Sequence, residues 1–396
     1  MVLEMMGGDA QKAAKTLGFM SSCGAVLEVF LNPVLGRLSD KYGRKPFLIM
    51  APLVRAVLHA VAASFPRSIE VQYIDRIITA AMVFTFQAPI NAAYSDACSE
   101  KELAVAMSRN STFFGLGCAI GPFLGSKLSG TGAFFGSSGL FAFCCLYLMA
   151  RFPETLSQEN RKEFDITACS PLRFLKLFQG GGKMSAIAST IALQSFGDYP
   201  NIYDFNFLYL KSAFNWGQAE VGRFATSVGI SQFLSGETTG FLIRRFGEST
   251  AALLSNLSWI LSMALLGTSS RIQQLGAALV AMTFGHTRGI PVDAKLQKIG
   301  KASGMGKGEL NAAKMNLTAL IKVVAPILYG RVFTWATSKG RNLPGMPYLL
   351  ICSLTVVAQL CFWSQESDDG YLKRVLSDPK AFVGRVERRN SSLLRA

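Results

Sequence analysis

The stretch Gly36-Arg-Leu-Ser-Asp40-Lys-Tyr-Gly43-Arg44-Lys45-Pro46 decides how this chain is read, because it sets charge and glycine between two long apolar runs. Those runs, residues 17–38 and 47–65, each approach the roughly 20 residues that a helix rising about 1.5 Å per residue needs to cross about 30 Å of hydrocarbon. Apolar residues fall all round both segments, whereas a soluble helical hairpin keeps one face polar. The stretch therefore reads as a short cytoplasmic loop between two membrane helices.

Composition agrees with that reading. Half of the 396 residues are hydrophobic and only 16% are charged, against about 25% in ordinary soluble domains. Further apolar segments lie at about 72–93, 112–129, 133–151, 184–209, 219–243, 250–268, 272–292, 311–334 and 347–364, which makes eleven expected spans with the first two. The chain is expected to be an all-α, multi-pass membrane protein.

The net charge of +15 is spread through short loops and the tail instead of being interleaved with exposed aromatics, so nucleic acid is not an expected partner. It reports orientation. Alternate loops hold Arg161, Lys162, Arg173, Lys176, Arg244, Arg245, Lys295, Lys298 and Lys301, while the opposite ones carry far fewer, such as Arg67, Lys127, Lys211 and Arg271. The positive-inside rule then expects an extracytoplasmic or lumenal start and a cytoplasmic C-terminus. Which membrane the chain occupies is not fixed by these residues.

Several chemistries are excluded. The eight cysteines include no CxxC pair, and two histidines, His59 and His286, are too few for an imidazole metal site. No metal or organic cofactor is expected. The chain offers no Walker loop, no HExxH and no Ser/His/Asp set, so an enzyme is not expected and a primary pump lacks its nucleotide site. Ion or solute gradients remain as the energy source.

An internal repeat is the second organising signal. The pattern from Gly36 to Gly43 returns, loosely, from Gly240 to Gly247, and Gly121-Pro122 returns as Ala325-Pro326, both 204 residues later. Agreement in offset at two distant places argues for duplication of a six-helix unit. The expected organisation is an N-terminal transmembrane half (1–151), a linking loop (152–183), a C-terminal half (184–364) and a basic cytoplasmic tail (365–396). Within the loop, residues 171–178 are amphipathic, and read either as a short headgroup-level helix or as a solvated linker.

These features together resemble the major facilitator superfamily over nearly the whole chain. Gly36, Asp40, Lys41, Gly43, Arg44 and Lys45 fill the fixed places of that family's loop motif between helices two and three. Tyr73-Ile-Asp-Arg76, Ala93-Tyr-Ser-Asp96 and Glu100-Lys-Glu102 resemble tetracycline-efflux-like and hippocampus-abundant-transcript-like members. Gly117, Gly121, Pro122 and Gly125 resemble the fifth-helix motif of proton-coupled antiporters, with Ser126 in place of the second glycine expected after Gly125, and Pro153-Glu-Thr155 matches a sequence common after helix six. The first matched helix corresponds to the family's second, so eleven spans are expected where the family has twelve. The resemblance implies two pseudo-symmetric helical halves, alternating access, a gate latch in the Gly36 loop and a role for Arg76 in proton coupling.

Ionisable residues inside spans are costly, and each is a candidate site. Glu28, Asp198 and Glu237 are candidate proton carriers alongside Arg76, whose alternative reading is local pairing or snorkelling. Gln87 falls about three turns beyond Arg76 on the same face. Arg55 and His59 share a face, and Glu28 is a possible counter-ion for Arg55. Gln194, Asp198 and Asn201 form a polar stripe flanked by Tyr199 and Tyr203, with Pro200 able to interrupt the helix; it reads as a substrate-cavity wall or as an interfacial belt. Lys322 sits deep in its span and calls for a carboxylate, a watery cavity or an anionic substrate. Gly117, Gly121 and Gly125, at a four-residue period, are candidates for tight helix packing.

The function expected from these residues is secondary active transport of a small organic solute, with proton-coupled export as its specific form. A facilitator or symporter for a sugar or organic anion is the alternative, and a non-transporting membrane protein that binds partners or anionic lipid through its loops and tail is the reading from another class. Expected partners are a small-molecule substrate, protons and the lipid bilayer, with the protein acting as a monomer.

Overall fold

The computed structural model describes residues 5–97, 100–161, 163, 170–303, 305, 307–338 and 342–367, with the side chains of Gln87, Tyr199, Pro200 and Tyr203 among those outside the described set. Its helices are α1 (Ala10–Tyr42), α2 (Lys45–Ser64), α3 (Ile69–Thr85), α4 (Gln87–Ala97), α5 (Glu100–Gly125), α6 (Gly130–Arg151) and the short α7 (Lys176–Gln179). They continue as α8 (Gly182–Phe196), α9 (Tyr199–Phe214), α10 (Gln218–Phe246), α11 (Glu248–Gly267), α12 (Ile272–Gly285), α13 (Gly289–Ala302), α14 (Lys307–Ala336) and α15 (Met346–Ser367). No strand occurs among the described residues. The fold is that of a multi-pass, all-α membrane protein.

Each expected span falls on helix, but three of them are broken. The 72–93 segment divides at Phe86, the 184–209 segment at Gly197 and Asp198, and the 272–292 segment between Gly285 and Gly289. Six helices among the described residues, α1, α2, α6, α11, α15 and the Ala313–Ala336 part of α14, are long and apolar enough to cross a membrane unaided.

Local chemistry sets the helix ends. Asp9 accepts hydrogen bonds from the backbone N–H groups of Gln11 and Lys12 at 2.9 and 3.0 Å, starting α1. Gly43, at φ +105°, ends it in a conformation that a side chain would strain, and Pro46 in the first turn of α2 suits the restart. Gly247, its repeat partner, stands at φ +82° between α10 and α11. Pro122 and Pro326 likewise sit inside α5 and α14, so the 204-residue repeat has a backbone counterpart.

The chain forms two compact units, one of Met1–Leu172, Tyr199–Gly229 and Ala319–Pro344 and the other of Arg173–Asp198, Ile230–Thr318 and Gly345–Ala396, so that α10 and α14 are each shared between them. In the first, α2 packs along α6 and α1 along α3. A Cβ on Gly24 would stand 2.6 Å from that of Ala80 and 2.9 Å from the Ile77 carbonyl, so α1 and α3 touch backbone to backbone there. The N-terminal part of α1 meets the C-terminal part of α14 in the same way: a Cβ on Gly18 would lie 2.6 Å from the Pro326 carbonyl oxygen, and one on Gly330 would lie 3.1 Å from that of Ala14. In the second unit, Met184, Ile187 and Ile191 of α8 join Ala252, Val292, Leu296, Leu317 and Phe362 in a buried core.

At Gly36, by contrast, no described atom lies within 4 Å of where its Cβ would be. Gly24→Ala is therefore expected to destabilise the protein by about 1–3 kcal/mol through overpacking, and Gly36→Ala to leave it unchanged or raise it by up to about 1 kcal/mol through helix propensity. Thermal unfolding of both variants in detergent checks the contrast.

Candidate functional site

The Gly36 loop folds around Arg44. Its guanidinium, largely buried, donates to Asp40, to Asp96 at 3.1 Å and to the Ser39 hydroxyl at 2.9 Å, so α1, α2 and α4 are tied at one point. Glu154 completes the arrangement: its carboxylate accepts from the backbone N–H of Arg44 at 2.8 Å, of Lys45 at 3.2 Å and of Leu156 at 3.0 Å. The first turn of α2 is thus capped from a residue far along the chain, with charge complementary to the helix dipole. Lys45 adds a hydrogen bond to the Met149 carbonyl at 2.9 Å, while Lys41 lies over Tyr42 with its ammonium 5.4 Å from the ring centre.

Glu28 and Lys322 form a buried ion pair in the first unit. The Lys322 ammonium donates to Glu28 Oε1 at 2.8 Å, and the Asn32 amide donates to the same oxygen at 3.2 Å. Both side chains are mostly buried, with 4% of Glu28 and 16% of Lys322 exposed. Arg55, the partner considered for Glu28 in the sequence, instead lies over the Phe141 ring at 4.1 Å and feels Asp75. Helix rotation decides this, since Glu28 turns toward α14 and Arg55 toward α3 and α6.

His59 occupies a separate network with α3 and α6. Its Nδ1 is 2.8 Å from the Ser137 hydroxyl and its Nε2 is 3.7 Å from Asp75, with Phe134 and Phe141 packed edge-on against the ring. Arg76, half-buried, acts electrostatically on Asp75.

The polar stripe is not one continuous helical face. Gln194 lies in the last turn of α8, Asp198 lies in the break, and Asn201 lies with Pro200 in the first turn of α9, which begins at Tyr199. Gly197 makes the break, its N–H turning back to the Gln194 carbonyl at 2.9 Å. Around Gln194 the second unit builds a buried chain in which the Gln194 amide donates to Asn256 at 2.8 Å and the Asn256 amide donates to Gln359 at 2.7 Å. Arg288, from the break between α12 and α13, donates to the Gln194 carbonyl at 2.7 Å and to Asp198 at 3.1 Å, and lies over the Trp259 ring at 4.2 Å.

Sequence reading missed Arg288, Asn256 and Gln359. Arg288 carried a usable signal, as an arginine inside an apolar run.

Other candidates stand apart. Glu237 is exposed on α10 and makes no ion pair among the described residues. The side chains of Gln87 and Tyr203 lie outside the described residues, as does that of Glu100. Gly117, Gly121 and Gly125 have no described atom within 4 Å of their Cβ positions. The close approach of α5 instead uses Ala119, Pro122 and Ser126, against Gly222 and Gly229 of α10, so the glycines that matter there belong to the partner helix.

Long apolar helices with charges buried between them define a multi-pass membrane protein. The family description Major Facilitator Superfamily matches residues 1–197. The chain is 25% identical over 343 residues to the class H tetracycline resistance protein of Pasteurella multocida, covering 82% of this chain and 81% of that protein. It is 23% identical over 377 residues to the human hippocampus abundant transcript-like protein 1, covering 87% of this chain and 72% of that one. Among solved structures, the human organic anion transporter MFSD10 (TETRAN) superposes with a TM-score of 0.67 at 20% identity, over 90% of this chain and 89% of the other. Residues 1–197 thus match the major facilitator superfamily, and the whole chain resembles these transporters in sequence and fold.

Partial burial raises the pKa of Glu154, but hydrogen bonds from the backbone N–H groups of Leu156, Arg44, Lys45 and Thr155 outweigh it, and the net shift is downward. A depressed carboxylate contributes stability above its unfolded-state pKa, about 4.3 for glutamate, and loses it as pH falls through the folded value. Glu154→Gln is therefore expected to be less stable than the wild type at neutral pH, with the difference closing below about pH 4. Thermal unfolding of both proteins between neutral and acid pH measures it.

Proposed function

We propose that the protein is a proton-coupled exporter of a small organic solute, working by alternating access. The observation that carries this reading is the Glu28–Lys322 pair, a carboxylate and an ammonium held 2.8 Å apart between two spanning helices. Neither charge is tolerable alone in hydrocarbon. A proton delivered to Glu28 removes the attraction at once and leaves Lys322 needing another anion or water, so protonation changes the free energy of the α1–α14 contact directly.

That contact has the form of a gate. Gln11 donates to the Thr337 carbonyl and hydroxyl, both at 3.2 Å, and Gly18 and Gly330 bring the backbones together below it. Such a seam holds little apolar interlocking, and it can part and reclose as rigid helices rock. At the other end of α1, Arg44 with Asp40 and Asp96 fits the latch expected from the loop motif. The relatives named tetracycline resistance proteins support export as the direction, with the C-terminus on the cytoplasmic side as the loop charges expect.

Proteoliposomes loaded with a tetracycline and subjected to an imposed pH gradient test the proposal. Wild-type flux is expected to follow the gradient, and Glu28→Gln is expected to keep at most about a tenth of the gradient-driven component, one decade of rate being about 1.4 kcal/mol. Flux indifferent to the gradient would instead make the protein a facilitator.

A further inference from the structure

We propose that Arg288 is the receptor for an anionic group on the transported solute, and that Asp198 is a built-in stand-in for that group. The inference rests on the transport reading above and adds the substrate's chemical class.

Two interrupted helices meet at this point. The backbone leaves the helix at Gly197 and Asp198 on one side, and between Gly285 and Gly289 on the other. Irregular backbone at membrane depth is tolerated only where it is buried in protein or lines a water-filled space. Transporters use such breaks to present backbone groups and side chains to a solute.

The two partners differ sharply in exposure. Only 3% of the Arg288 side chain is exposed, but 49% of that of Asp198. The cation is fixed three ways, by the Gln194 carbonyl at 2.7 Å, by Trp259 beneath its plane and by Asp198 itself. The hydrogen-bonded chain through Asn256 and Gln359 in turn holds Gln194 in place. Asp198 stands in a helix break with half its surface open. A half-exposed carboxylate facing lipid would be costly, so its open side faces water. The geometry is that of a preorganised guanidinium with a displaceable counter-ion.

The neighbouring groups select for negative charge. The Trp259 Nε1 is buried and has no hydrogen-bond partner among the described residues. Indole and guanidinium nitrogens are donors only, so an acceptor is what the place lacks. Gly197 packs directly against both donors, and a Cβ there would stand 2.9 Å from Trp259 Nε1 and 3.1 Å from Arg288 Nη2, displacing them. A carboxylate or sulfonate on a small organic molecule satisfies these donors, and a flat guanidinium binds such groups through two parallel hydrogen bonds. When the solute's anion takes the place of Asp198, one anion replaces another on Arg288 and the buried cation is never left unpaired.

Benzoate and its uncharged counterpart benzamide are suitable probes, with binding to the purified full chain in detergent followed by calorimetry. Benzoate is expected to bind and benzamide to fail. Asp198→Asn removes the competing anion and is expected to tighten benzoate binding by roughly tenfold. Arg288→Lys is expected to weaken it by at least about tenfold, because an ammonium lacks the planar fork. As replacing a buried arginine can impair folding, Asp198→Asn is the deciding variant, its folding verified by thermal unfolding. Equal binding of benzoate and benzamide, or unchanged or weaker benzoate binding in Asp198→Asn, overturns the proposal. Loss of gradient-driven flux with these binding results intact would strike the transport reading alone.

Discussion

A carboxylate and an ammonium that must share the membrane interior are the constraint around which the first unit is organised. Moving either ion from water into hydrocarbon costs several kcal/mol or more, even after relaxation. Glu28 and Lys322 meet that cost together, with Asn32 satisfying a further lone pair of the carboxylate. Their meeting requires α1 and α14 to run close, and the glycines at 18 and 330 allow it. A side chain at either glycine would push the helices apart, and so the small residues and the ion pair are one device.

The same economy of parts recurs at the loop that opened the sequence reading. Arg44 is held by two aspartates, while Glu154 caps the helix that Arg44 begins, so the loop between α1 and α2 answers to both α4 and the segment after α6. Repetition carries some of this into the second half of the chain. Gly247 takes the positive φ of Gly43, and Pro326 takes the place of Pro122, while the charges are exchanged: Asp40 corresponds to Arg244, and Arg44 to Glu248. The halves keep the backbone plan and diverge in charge.

Much of this was legible in the sequence, and the illegible part has a physical cause. Span positions followed from apolar length. The helix break at Phe86 was hidden because apolar residues run up to it, whereas the one between Gly285 and Gly289 was marked by His286, Thr287 and Arg288. The partner of Glu28 was hidden for another reason: Lys322 lies 294 residues away, and only the rotation of α1 chooses it over Arg55. For Gly117, Gly121 and Gly125 a four-residue period marks a stripe of small residues, but the buried face of α5 runs beside that stripe, through Ala119 and Pro122. Periodicity locates a face without saying what covers it.

The most direct test of the central claim is a double-mutant cycle on the stability of Glu28→Gln and Lys322→Met, measured by unfolding in detergent at neutral pH. If the two charges hold one another within the membrane, each single variant strands a buried ion, and the double variant is more stable than the sum of the single losses implies, by an interaction energy of about 1–3 kcal/mol. Strict additivity of the two losses would show that the charges are solvated independently, and the pair could not then be the element that protonation switches.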